Sequence, residues 1–282
     1  MVRIGLLLSG GMAKGAYQIG ALEAISEWIK ASEFEYVAGS SIGALNSYAF
    51  LTGNLSKAKD MWKDLGANED IKWILKAMKK SFVEKVVGDI YVGGDFPAHF
   101  SVPLLETCSR KLKYVDLSSV PEADVEKYLL ASVAMPVYCK PVEIGNEAFY
   151  DGAMVDNIPV KSLADKDLDY IICIYFDTYN YMFENEEFNN KCIKLAFNDN
   201  TFISNSIVVS EERTKFMLET GYEKGKEILG EFFKNGTDDL EYIYGQIARY
   251  NAENANVKRR VTGDFIVDNI NKVTKHIFRH NK

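Results

Sequence analysis

The chain has 282 residues, 47% hydrophobic and 26% charged, with a formal net charge of −7. That is an ordinary globular composition, long enough for one large α/β domain or two small ones. The acidic balance argues against nucleic acid as the main partner, because binding phosphates needs a concentrated positive field.

At the N-terminus, Arg3 precedes only Ile4 to Leu8 before Ser9-Gly10-Gly11, too short an apolar stretch for a signal peptide and without a cleavage site. No run approaches the ~18 apolar residues of a membrane span. The expectation is a cytoplasmic protein that makes at most transient contact with a membrane surface. Ile4 to Leu8 is a continuous apolar run, the pattern of a strand buried on both faces of a parallel sheet. Ala16, Ile19, Leu22, Ile25 and Trp28 then recur at helical spacing up to Lys30. A second strand is expected over Phe34 to Ala38, followed by a small-residue helix from Ile42 to Leu51. Strand, helix, strand, helix with short turns makes the sheet mostly parallel and puts its active edge at the carboxyl ends of the strands.

Further along, Ile71, Ile74, Leu75, Met78, Phe82 and Val86 alternate with lysines, predicting a basic amphipathic surface helix. A loop from Gly88 to His99, a helix from Val102 to Leu112 and another from Ala123 to Met135 come next. Tyr138 to Ile144 and Ala148 to Tyr150 predict a hairpin around Gly145-Asn146, and Tyr170 to Phe176 a buried strand. After Asp177 the chain is aromatic and asparagine-rich to about Asn205, then helical over Ile207 to Lys234, Asp238 to Ala252 and Thr262 to Phe278. The expected division is a catalytic body over 1–176 and a helical extension over 177–282 packed on it. Lys258, Arg259, Arg260, Lys272, Lys275, Arg279 and Lys282 make the tail locally basic, read as a solvated helix face. Cys108, Cys139, Cys173 and Cys192 lie too far apart for a CxxC metal pair and read as buried, reduced thiols.

Three segments carry candidate chemistry. Ser9 to Gly15 is a glycine-rich turn whose backbone N–H groups and following helix N-terminus suit an anion, permanent or transient. Gly39-Ser40-Ser41-Ile42-Gly43 is a GxSxG pentapeptide on a strand-to-helix turn, which lifts Ser41 clear of the sheet as a candidate nucleophile. Asp151-Gly152-Ala153 follows the hairpin, with Asn157-Ile158-Pro159 offering a helix start beyond it. A serine hydroxyl needs a base, yet the chain holds only His99, His276 and His280, in a loop and in the basic tail. The nearest alternative is a carboxylate bonded directly to the serine, and Asp151 fits if burial raises its proton affinity.

With these motifs, the chain resembles the patatin-like phospholipases over roughly residues 3 to 176. The GGxxKG turn at Gly10 to Gly15, GxSxG at Gly39 to Gly43 and the DGA motif at Asp151 to Ala153 occur in the family's order. Ile42-Gly43-Ala44-Leu45-Asn46 and the run from Met154 to Val160 match in context. The resemblance implies an α/β fold related to the α/β-hydrolases, a mostly parallel sheet sandwiched by helices. It implies a Ser41–Asp151 dyad without histidine, an oxyanion hole from the N–H groups of Gly10, Gly11 and Met12, and structural roles for Gly15, Gly39, Gly43 and Gly152. The implied activity is calcium-independent lipase or phospholipase A cleavage of glycerolipid esters, with no cofactor or metal. The family usually has glycine where this chain has Met12, and that residue is expected to offer its N–H from an ordinary conformation. A dinucleotide-binding reading would want glycine at position 12 and an acidic residue ending strand two, and this chain has neither. Hydrolase and acyltransferase share one acyl-enzyme and stay open, as does a non-catalytic lipid-binding protein on the same fold.

Overall fold

The computed structural model describes residues 2–67, 80–136, 138–176, 182–183, 185–197, 210–254 and 259–260. Strand β1 (Ile4–Leu8) is buried along its whole length. Leu6 and Leu8 join one apolar core and Leu7 the other, which is why the run has no polar position. β1 pairs in parallel with β2 (Phe34–Gly39) on one side and with β7 (Tyr170–Phe176) on the other. β3 (His99–Glu106) continues the parallel set beyond β2, and β9 (Cys192–Phe197) beyond β7. β4 (Leu112–Asp116), β5 (Val142–Ile144) and β6 (Glu147–Asp151) add antiparallel pairings. The hydrogen-bonded order is β5-β6-β3-β2-β1-β7-β9, with β4 also on β3. A separate two-stranded sheet pairs β8 (Met182–Phe183) with β10 (Arg259–Arg260).

The helices are α1 (Gly15–Ser26), α2 (Ile42–Leu51), α3 (Leu55–Ala67), α4 (Lys80–Ile90), α5 (Glu122–Ser132), α6 (Lys161–Ala164), α7 (Glu186–Lys191), α8 (Glu211–Phe232) and α9 (Leu240–Glu253). α1, α2, α3 and α8 cover the face that carries Leu6 and Leu8. Leu163 of α6 and Phe188 of α7 pack on the other face, with Leu7 and Cys173. The sheet is therefore a layer between helices. α1 and α8 touch backbone to backbone: a Cβ on Gly20 would lie 2.0 Å from the Leu218 carbonyl oxygen, and one on Gly221 2.2 Å from that of Tyr17. Among the described residues, no helix is long and apolar enough to cross a membrane.

One detail of the pairing matters most for chemistry. Ser101 of β3 pairs with both β2 and β4, and Leu104 with both β4 and β6. β2 and β6 therefore share one edge of β3, and because one is parallel and the other antiparallel to it, their carboxyl ends face each other. Ala38 sits opposite Ser101 and Asp151 opposite Leu104, three residues apart along β3, or about 10 Å at strand rise. Pro103, which has no N–H to offer a ladder, falls in the gap. Two segments 110 positions apart in sequence thus deliver Ser41 and Asp151 to one place.

The expected helix over Val102 to Leu112 is instead β3 and the turn into β4. Phe100, Val102, Leu104 and Glu106 are buried at a period of two, and that alternation outweighs the short apolar cluster that suggested a helix. α3 and β9 were not anticipated. α3 buries Ala58, Met61, Trp62 and Leu65 along one stripe, and β9 carries the sheet past residue 176, into a stretch whose asparagines and aromatics hid it. Of the four cysteines, only Cys173 and Cys192 are buried; Cys139 is half-buried and Cys108 exposed. The first half of the lysine-rich helix, Thr262 to Phe278, and His276 and His280 lie outside the described residues. α4 is the described part of that lysine-rich helix and runs on through Gly88 to Ile90.

Candidate active site

The site grows from the ends of β1 and β2, where Leu8 lies beside Gly39. Leaving β1, Ser9 donates its N–H to the Ile174 carbonyl at 3.0 Å; leaving β2, Ser40 donates to that of Leu8 at 3.0 Å. The two turns therefore start side by side. α2 begins hard against the first of them, since a Cβ on Gly43 would lie 2.5 Å from the Ser9 carbonyl oxygen. A chain that must enter a helix that abruptly puts Ser41 at φ +54, ψ −128, a region L-residues rarely occupy and one that costs about 1–3 kcal/mol. The surrounding turn fixes that strained backbone and leaves Ser41 half-buried.

Asp151 ends β6 and is 2% exposed. Its N–H donates to the Ala134 carbonyl at 2.9 Å, and its Oδ1 accepts the Ala153 N–H at 2.8 Å. Burial raises its pKa to about 7, while hydrogen bonds from the Ser41 hydroxyl and the Ala153 N–H pull the other way. No ion pair to Asp151 occurs among the described residues, so desolvation prevails. Gly152 passes directly over β3, where a Cβ would lie 2.4 Å from the Pro103 carbonyl oxygen.

All three motifs meet at Gly10. A Cβ there would lie 2.4 Å from Asn157 Oδ1, 3.1 Å from Ser41 Cβ and 3.4 Å from Ala153 Cβ. Gly15 and Gly39 likewise sit in close contacts, against Trp62 and Ile42 and against the backbone of Ala44. The glycine turn departs from expectation at two points. The Gly10 N–H is already used, donating to the Asn157 carbonyl at 3.0 Å, so it is not free for a substrate oxygen. Within the turn, the N–H groups of Gly11, Met12 and Ala13 have no acceptor among the described residues. Met12 is at φ +53, not in an ordinary conformation; the turn needs the left-handed region there, and a methionine bears about 1 kcal/mol of strain in it.

Sequence reasoning noticed Asn46, Asp156 and Asn157 only as context, and missed Gln18 and Tyr114. Gln18 Nε2 donates to the Ser9 carbonyl at 2.7 Å, and Asn46 Nδ2 to Gln18 Oε1 at 2.8 Å and to the Gly15 carbonyl at 3.0 Å. Ser40 Oγ donates to the Asp156 carbonyl at 3.1 Å, and the Tyr114 hydroxyl to Asp156 Oδ2 at 2.6 Å. The available signal was a buried-looking Gln and Asn inside otherwise apolar helices, positions that need partners. Beside the turn, Gly11 packs against the Phe176 ring, which adjoins Tyr17 and Phe197. His99 lies elsewhere, at the amino end of β3, its Nδ1 2.8 Å from Asp116 Oδ2 and its ring stacked on Tyr36.

The family model for patatin-like phospholipase matches residues 6–164, more than half of the chain, which therefore belongs to that family. Membership makes it a lipid hydrolase in general class. In structure it is similar to VipD from Legionella pneumophila, with a TM-score of 0.52 and 14% identity, over 82% of this chain and 67% of that one. It also matches ExoU, crystallised with SpcU from the type III secretion system of Pseudomonas aeruginosa, with a TM-score of 0.47, 12% identity and coverage of 95% and 66%. The chain thus spans about two thirds of the length of each.

Proposed function

We propose that this chain is a serine acyl hydrolase of the phospholipase A type, cleaving carboxylic esters of lipids through a Ser41–Asp151 dyad and an acyl-enzyme. The observation that carries the reading is the buried Asp151, bonded to the Ser41 hydroxyl and poised near pH 7, a proton affinity suited to a base at neutral pH. Asp151 takes the Ser41 proton as Oγ attacks the ester carbonyl. The N–H groups of Gly11 and Met12 receive the oxyanion. Asp151 then protonates the leaving alcohol, takes a proton from the water that attacks the acyl-enzyme, and returns it to Ser41 Oγ as the acyl–oxygen bond breaks and the fatty acid leaves.

Product profiling from mixed phospholipids and triacylglycerols, with Ser41→Ala as the blank, tests this directly. Free fatty acid released only by the wild type is expected. Equal release by both proteins would overturn the dyad, and acyl transfer to added lysolipid in place of release would make the chain an acyltransferase.

A further inference from the structure

Each N–H of the glycine turn shares a peptide plane with the carbonyl of the residue before it, and in a trans peptide the two point in opposite directions. Whatever holds a carbonyl therefore aims the next N–H. The Gly11 carbonyl accepts the Lys14 N–H at 3.1 Å, which aims the N–H of Met12. The Gly10 carbonyl accepts Asn157 Nδ2 at 3.2 Å and Ser9 Oγ at 3.1 Å, which aims the N–H of Gly11. Asn157 also accepts the Gly10 N–H on its own carbonyl at 3.0 Å, so one residue grips both polar groups of Gly10.

We propose that Asn157 is a positioning residue for acyl transfer, fixing the Gly10–Gly11 peptide so that the Gly11 N–H faces the carbonyl under attack. This rests on the dyad reading above. Its own anchorage is good: the preceding residue, Asp156, is held by the Tyr114 hydroxyl on its side chain and by Ser40 on its carbonyl. The segment that carries the base thus reaches both other motifs, Ser40 next to the nucleophile and Gly10 next to the oxyanion donors. Glycines on both sides of the peptide leave little else to resist its rotation. Without the Asn157 carboxamide, Ser9 Oγ alone opposes a flip that would present the Gly10 carbonyl oxygen where an N–H belongs.

The test compares Asn157→Ala and Asn157→Asp with the wild type in the full chain. It measures kcat and KM on a soluble ester, inhibition by a trifluoromethyl ketone that adds to the serine as a tetrahedral oxyanion mimic, and thermal stability. Misplacing one oxyanion donor should lower kcat by about 10- to 100-fold with KM within about twofold, and the ketone should weaken in step with kcat/KM. Asn157→Asp keeps the volume but replaces the donor with an oxygen, so it should be at least as impaired as Asn157→Ala. An Asp variant near wild-type activity, a kcat unchanged in both variants, or losses that follow melting temperature and KM would overturn the proposal. So would inhibition by the ketone that stays at wild-type strength while kcat falls. Wild-type turnover that Ser41→Ala matches would instead sink the dyad, and this proposal with it.

Discussion

The two edges of the sheet hold nearly the same residue types and do opposite things with them. At the amino edge, Ser118, His99 and Asp116 form a group that, by composition, looks more like a hydrolytic triad than anything at the carboxyl edge. Yet Ser118 Oγ and Asp116 Oδ2 both approach the same ring nitrogen, His99 Nδ1, at 3.3 and 2.8 Å, so no relay passes through the ring. Burial lifts the Asp116 pKa, but the Ser118 and His99 side chains and two backbone N–H groups outweigh it and hold the carboxyl below its usual range. Arg3, Glu35 and Asp167 nearby form an ordinary surface ion-pair group. At the carboxyl edge, Asp151 is buried with no counter-charge among the described residues, and Ser41 and Met12 occupy strained backbone. The proposed active edge is thus the one marked by desolvation and strain, not the one with the inventory of Ser, His and Asp.

The largest expected contrast is in activity. Ser41→Ala and Asp151→Asn should each lower kcat by roughly 10⁴-fold or more, while His99→Ala and Ser118→Ala stay within about twofold; an activity that depends on His99 would reverse the assignment of the edges. Next, Gly10→Ala should cost about 100-fold in kcat, because its Cβ would force apart Asn157 and Ser41, and esterase kinetics on the folded variant would show it.

The pH dependence is a smaller but sharper test. kcat/KM should rise with pH through about 7 as Asp151 ionises, and a profile flat from pH 5 to 9 would contradict a carboxylate base. Stability should move the other way. The folded state keeps the Asp151 proton to about 7, whereas the unfolded chain releases it near about 3.9. Between those values the folded state binds the extra proton, so this group's contribution is full at low pH and is lost as pH rises. Asp151→Asn should therefore gain melting temperature relative to the wild type as pH goes from 5 to 8.5.

The smallest effects are on strain. Ser41→Gly should be more stable than Ser41→Ala by about 1–3 kcal/mol, and Met12→Gly more stable than wild type by at most about 1 kcal/mol with activity retained. Chemical denaturation measures both, and no gain at either position would mean that the turns are relaxed.

Much of this was legible in the residues. The apolar runs of β1 and β7 stood out because a strand buried on both faces carries almost no polar side chain; α2 stood out by its small residues, although it also buries Asn46 and Ser47. The GxSxG turn and Asp151 stood out because a strained turn and a base leave few residue choices. The β3–β4 hairpin was misread because the short apolar run from Val102 to Leu105 suits either period, and only pairing partners decide between them. β9 stayed hidden because its burial depends on β7, α8 and the helices of the opposite face.

By itself, the sequence determined the local elements at the carboxyl edge and pointed to the residues proposed to do chemistry there, since these follow from nearest-neighbour sterics and side-chain type. Only the tertiary structure decided that β2 and β6 meet end to end along β3, that Gly10 spends its N–H on Asn157, and that Met12 adopts φ +53. The first two depend on partners far away in the chain, and no local pattern encodes where a hydrogen bond across more than a hundred residues will close.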